Sequence, residues 1–183
     1  EADPEAVRAA EATFQAQTGL RLLIRAPGLG EPRAAAAEGE RFAPPPGARP
    51  SELNFALNTA RSWFGPERGC YKASADQASL VVTLRFHFPA AARARYADQL
   101  AELAAYIGWT VQLWPQPHQE ALMQAAREAL PPGLAPLGAP AIQAASREVV
   151  VKVQGAAPAE AIAAAAQAFA ERTGWTLTLR EGR

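Results

Sequence analysis

The chain has 183 residues, with 18 basic and 18 acidic side chains, one Cys and two His, a length that suits one compact domain or two small ones. Formal neutrality removes a whole-molecule attraction to nucleic acid or anionic lipid and leaves only local patches to do such work. A single Cys forms no internal disulfide, one Cys with two His makes no Cys/His zinc site, and no apolar run approaches the roughly 20 residues of a membrane span.

In chain order, the first recognisable element is PEAVRAAEATFQAQTGLRLLI, Pro4 to Ile24, which reads as a helix closed by Gly19 and followed at once by a strand. Gly takes the left-handed cap conformation after the last helical turn, and the apolar period then switches from 3.6 to 2. The same pattern returns near the C-terminus. At a constant offset of 155, Val7 meets Ile162, Phe14 meets Phe169, and Thr18-Gly19 meets Thr173-Gly174. Residues 1–25 are thus expected to be an αβ half-unit. It lacks the strands that should precede its helix, and the chain opens with Glu, so an excised piece of a longer protein is expected.

Residues 26–50 hold six Pro and four Gly without an apolar period, which predicts a solvated linker. Two full units follow, 51–116 and 117–183, each reading helix, strand, strand, helix, strand. In the first unit, a short helix precedes an extended stretch Cys70 to Asp76. The strand Leu80 to Phe88, the helix Ala90 to Ile107 and a final strand from Trp109 come next. In the second, Ala141 to Ser146, Val149 to Val153, Ala159 to Thr173 and Trp175 to Leu179 fill the corresponding places. Alternation points Leu80, Val82, Leu84, Phe86 and Phe88 one way, with Thr83, Arg85 and His87 the other; Val150 and Lys152 likewise face outward. One sheet face is apolar and covered by helices, the other polar. The expected class is α+β, a two-layer α/β sandwich with an open sheet face.

Catalytic patterns are scarce: there is no G-x-S-x-G, H-E-x-x-H, P-loop or G-x-G-x-x-G, and Asp3, Asp76 and Asp98 are the only aspartates. Cys70 reads as a small buried residue at a strand start, and His118 as a residue near a helix cap. The fragment is expected to be non-catalytic, with no cofactor and no metal. Aromatics are more telling. Ten of the 14 lie between Phe55 and Trp114, and Arg61 to Arg95 holds six basic residues against Glu67 and Asp76. Rings stack bases while guanidinium groups hold phosphates, so this pattern suits single-stranded nucleic acid. The candidate contacts are Arg61, Trp63, Arg68, Lys72, Arg85, His87, Arg93 and Trp114, with Tyr71 a further outward-facing ring. The loop Trp63 to Gly69 reads equally as an aromatic wedge or as a packed turn.

The order helix, strand, strand, helix, strand resembles a KH domain of the bacterial topology, and its doubling resembles tandem KH modules of RNA-processing and translation-linked proteins. Such domains clamp four nucleotides with a GXXG loop between two helices. Continuous helices occupy that place here, so the resemblance implies degenerate copies and transfers the clamp to no residue. A truncated KH-like fold is also similar to the polymerase-binding end of bacterial clamp-loader subunits, where it binds protein. Two functions are therefore expected. One is an accessory module of a larger nucleic-acid-processing protein, binding single-stranded DNA or RNA. The other is a docking module that tethers a parent nuclease, helicase or polymerase to a partner of the replication, repair or RNA-processing machinery. Net neutrality and Ala-rich helices favour the second, the Arg/aromatic concentration the first. A cytoplasmic setting without membrane contact is expected for both.

Overall fold

The computed structural model describes residues 39–182. The predicted N-terminal half-unit, and the linker up to residue 38, lie outside them. The fold is α+β. Its first part runs β1 (Arg41–Phe42), α1 (Leu53–Trp63), β2 (Cys70–Asp76), β3 (Val81–Phe86), α2 (Pro89–Ile107) and β4 (Thr110–Leu113). Its second runs α3 (Gln119–Glu128), β5 (Leu134–Pro136), β6 (Ala141–Gln143), β7 (Glu148–Gly155), α4 (Ala159–Thr173) and β8 (Thr176–Glu181). No described helix is long and apolar enough to cross a membrane.

Each part builds its own four-stranded mixed sheet. In the first the order is β1-β4-β3-β2: β2 and β3 form an antiparallel hairpin, and β4 returns parallel to β3. The outer strand β1 comes from the stretch predicted to be a linker. Arg41 pairs with Gln112 and Phe42 with Val111, and Phe42 packs against the core. The Pro-rich surroundings mask so short a strand, although an edge strand of two residues needs no long apolar pattern.

In the second sheet β8 runs parallel to β7 on one side, while β5 and β6 lie end to end on the other. They amount to one interrupted strand. Between the pairs Pro136↔Val153 and Ala141↔Val150, residues 137–140 oppose only 151–152. Gly138, at φ +92°, helps to accommodate the bulge. The interruption explains why the sequence shows only a weak strand here.

Alternation on β3 does the packing. Val82, Leu84 and Phe86 are buried together with Val111 and Leu113 of β4, against Ala56 and Ala60 of α1 and Leu100, Leu103 and Ile107 of α2. The two alanines, one turn apart, bring α1 close to the sheet. Full burial of each Leu, Val or Phe contributes roughly 1.5–3 kcal/mol. Two expected directions change. Leu80 is 37% exposed, because it closes the β2–β3 turn at φ +51° and alternation starts only at Val81. Val150, expected outward, is buried, with Ala141 and Thr178 as its cross-strand neighbours.

The two parts pack on each other. Phe88, at the start of α2, lies against the second core of Leu122, Val149, Val151, Phe169 and Leu177. Arg172 of α4 bonds Glu128 of α3 at 2.9 Å, with its guanidinium 5.9 Å from the Phe88 ring. The parts also come close at Gly174, the left-handed cap of α4 at φ +73°, where an added Cβ would sit 2.5 Å from the Cβ of Ala90. Gly69 also has positive φ, +81°, but open space around it. Urea unfolding should separate the two effects. Gly69→Ala is expected to cost about 1 kcal/mol, from backbone strain alone. Gly174→Ala is expected to cost about 2–3 kcal/mol, strain plus overlap. Equal costs would mean that the helix junction is not close-packed.

Candidate nucleic-acid interface

The alternation that buries Val82, Leu84 and Phe86 sends Thr83 and Arg85 to the face of the first sheet that α1 and α2 leave uncovered. Register then assembles rows across that face. Arg41, Gln112, Thr83 and Ser74 form one row, set by the pairs Arg41↔Gln112, Thr83↔Gln112 and Ser74↔Thr83. The next holds Arg85 between Lys72, its partner on β2, and Trp114, whose N–H donates to the Leu84 carbonyl at 2.9 Å. The Arg85 guanidinium carbon stands 4.3 Å from the centre of the Trp114 ring. That is well within cation–π range, and it holds the cation and the indole together.

A bulge sets the third row. Cys70 pairs with Phe86 and Lys72 with Arg85, so Tyr71 is an extra residue in β2. Simple alternation would put Tyr71 and Lys72 on opposite faces. Instead Tyr71 stacks on His87, with ring centres 5.1 Å apart and planes at 28°. His118 meets both rings edge-on, at 4.8 Å from Tyr71 and 5.3 Å from His87. The main chain fixes this cluster, since the His118 N–H donates to the His87 carbonyl at 3.0 Å. Nδ1 of His118 accepts from the Ala121 N–H at 3.3 Å, capping α3. The cap reading of His118 is therefore correct, and its contact with Tyr71 and His87 is new.

Cations dominate this face: Arg41, Lys72 and Arg85. The one carboxylate in its rows, Asp76, sits at the end of β2 and accepts from the Ala78 N–H and the Ser79 hydroxyl. Those hydrogen bonds hold it below the usual Asp range. Arg85 Nε and His87 Nδ1 are buried and have no hydrogen-bond partner among the described residues. Burial pushes the His87 imidazole below its ordinary value of 6.5, and the charge of His118 adds to the shift.

The eight candidate residues do not form one site. Lys72, Arg85, His87 and Trp114 share the open sheet face. Arg61, Trp63, Arg68 and Arg93 lie on the helix layer instead. Trp63 stacks on Tyr106 at 5.7 Å, Arg68 donates to Gln99 at 2.9 Å, and Arg93 is ion-paired with Glu40. Counting residues along the chain mixed two layers that the fold separates. The loop after Trp63 is a packed turn: Phe64 is buried against Phe86, and a 3-10 turn over Pro66–Arg68 ends at Gly69. Cys70 faces the core, and burial raises its thiol pKa, as suits a structural residue. Arg41 and the His118 contact escape sequence reasoning. Arg41 sits in a Pro-rich stretch, and the His118 contact depends on a backbone bond between the two parts.

The chain matches no known family profile and no curated protein.

The His87 shift has a measurable consequence. The unfolded chain binds the His87 proton near pH 6.5 and the folded chain only below that. Stability should therefore fall as the pH drops through and below 6.5, before the carboxylates titrate. His87→Gln should flatten the urea midpoint between about pH 7 and 5. An unchanged slope in that variant would mean that His87 titrates as it does in water.

Proposed function

We propose that the chain is a non-catalytic module that binds single-stranded nucleic acid across the open face of the first sheet. It would serve a larger nucleic-acid-processing protein in the cytoplasm. The observation that carries this reading is the Arg85–Trp114 pair at 4.3 Å, with Lys72 beside Arg85 in the same row. An indole beside a guanidinium gives a base a stacking surface and a phosphate a bidentate donor within one nucleotide's reach. Tyr71 on His87 offers a second aromatic step, and Arg41 and Lys72 flank the path with charge. Duplex DNA keeps its base faces stacked inside, so a flat sheet bearing rings suits unpaired bases. The element order supports kinship with KH-type modules. With no GXXG loop, contact runs through the sheet instead.

The test is a fluorescence-anisotropy titration with labelled single-stranded DNA and RNA. Arg85→Ala and Trp114→Ala should each weaken binding about tenfold, the scale of one stacked base. Arg61→Ala should leave it unchanged. With three cations on the path, log K should fall with log salt at a slope of about −2. Binding that ignores salt, or that survives both open-face variants, would contradict the proposal.

A further inference from the structure

The second sheet ends on a bare strand edge. The N–H groups of Thr176 in β8 and of Gly182 just beyond it donate to Arg147 and Val153 on the β7 side. Every second residue of a strand turns its N–H and C=O the same way, so those of Leu177 and Leu179 point outward. No described strand pairs with that edge. The β2 and β5–β6 edges are interrupted by bulges, which discourage pairing, whereas β8 is regular.

The first sheet shows what occupies the corresponding place. Gly108-Trp109 and Gly174-Trp175 lead into β4 and β8 alike, so Leu113 stands where Leu179 does. There an extended segment runs antiparallel along the edge. The Leu113 N–H donates to the Glu40 carbonyl at 2.9 Å, and Phe42 pairs with Val111. Farther along, the Trp109 indole donates to the Ser51 carbonyl at 2.9 Å. Under this cover Gly108 and Leu113 are buried. Gly174 is exposed, Leu179 is only half-buried, and the Trp175 indole has no hydrogen-bond partner among the described residues.

Charge and register narrow the occupant. Lys152 and Arg180 stand side by side on the open face, both exposed, and neither is ion-paired with a described carboxylate. An antiparallel strand sets one residue beside Arg180, where a carboxylate complements the two cations. Its next residue faces Leu179 on the helix side. Glu40 holds that position in the first unit and meets Arg93, but Ala159 stands in place of Arg93 in the second, so an apolar residue suits. Phe42, packed on the first core opposite Val111, sets the pattern for an apolar residue opposite Leu177. A second copy of this chain does not match. Alternation would bring its Thr176, Thr178 or Arg180 opposite Arg180 and keep its Glu181 on the leucine face.

We infer that the outer edge of β8 docks an extended segment of a partner protein, paired antiparallel, with an acidic residue opposite Arg180 and apolar residues opposite Leu179 and Leu177. This edge is separate from Arg85 and Trp114, and the inference does not rest on the nucleic-acid reading.

The experiment adds to the full chain a peptide of about ten residues with Glu-Leu-Thr-Phe at its centre, and follows amide hydrogen exchange by NMR. Slower exchange is expected at Leu177 and Leu179, and no change at Thr178 and Arg180, whose amides already face β7. N-methylation of the peptide's leucine and phenylalanine should weaken binding about tenfold or more, because those N–H groups belong to the ladder. N-methylation of its glutamate and threonine should leave binding intact. Replacing the peptide's glutamate by lysine should cost about fivefold, and Arg180→Glu, an exposed change, should erase that difference. Arg85→Ala should have no effect on the peptide. No protection at millimolar peptide, or equal binding of the two methylated peptides, would overturn the inference. So would protection of Leu177 and Leu179 in the peptide-free chain, whether constant, which would mean the edge is already covered, or rising with protein concentration, which would mean that two copies pair.

Discussion

Much of the structure depends on the chain reversal at Gly108. This residue ends α2 at φ +70°, with its N–H returned to Ala104, and a Cβ there would lie 2.2 Å from the Arg49 carbonyl oxygen. Only glycine meets both conditions. The next residue, Trp109, is buried, and its indole donates to the Ser51 carbonyl at 2.9 Å, which pins the chain where the strand begins. From that fixed start β4 enters parallel to β3, with Val111 against Val82 and Leu113 against Leu84. Trp114 then arrives beside Arg85 on the other face. A slip of one residue would turn Trp114 into the core and expose Leu113, so the burial that stabilises the sheet also sets the interface.

The same reversal recurs at Gly174-Trp175, and the residues that follow it differ in chemistry. On the second sheet Lys152 pairs with Arg180, at the place that Arg85 and Trp114 occupy on the first. Two cations side by side supply charge but no ring. The second unit contributes to the proposed interface by another route, through His118, which caps α3 while touching Tyr71 and His87. The first sheet thus carries a cation–aromatic pair where the second carries two cations.

What the sequence makes legible follows from periodicity. The helix over Ala159–Thr173 has the predicted bounds because Gly174 marks its end, and the extended stretch Cys70–Asp76 between Gly69 and the turn at 77–80 is a strand of those bounds. Arg85 is readable as an outward residue by counting from Val82, and Trp114 by counting from Trp109. Features that break the period are hidden. Strand β1 lies in a Pro-rich stretch, β5 and β6 are split by a bulge, and Leu80 leaves the strand at a positive φ. Tyr71 shares a face with Lys72 only because of a bulge at that point. Proximity along the chain groups Arg61, Trp63, Arg68 and Arg93 with the sheet residues. That measure cannot tell the helix layer from the face behind it.

The two layers thus present different chemistry: Arg85 packed on Trp114 with Lys72 alongside on the open sheet face, and cations already paired with neighbours, such as Arg68 with Gln99 and Arg93 with Glu40, on the helix layer. The most direct test of the central claim is photocrosslinking of the full chain to single-stranded DNA carrying 5-iodouracil, with the adducts located by mass spectrometry. Adducts at Trp114 or Tyr71 are the result the account predicts. Adducts confined to Trp63, Tyr106 or other residues of the helix layer would contradict it.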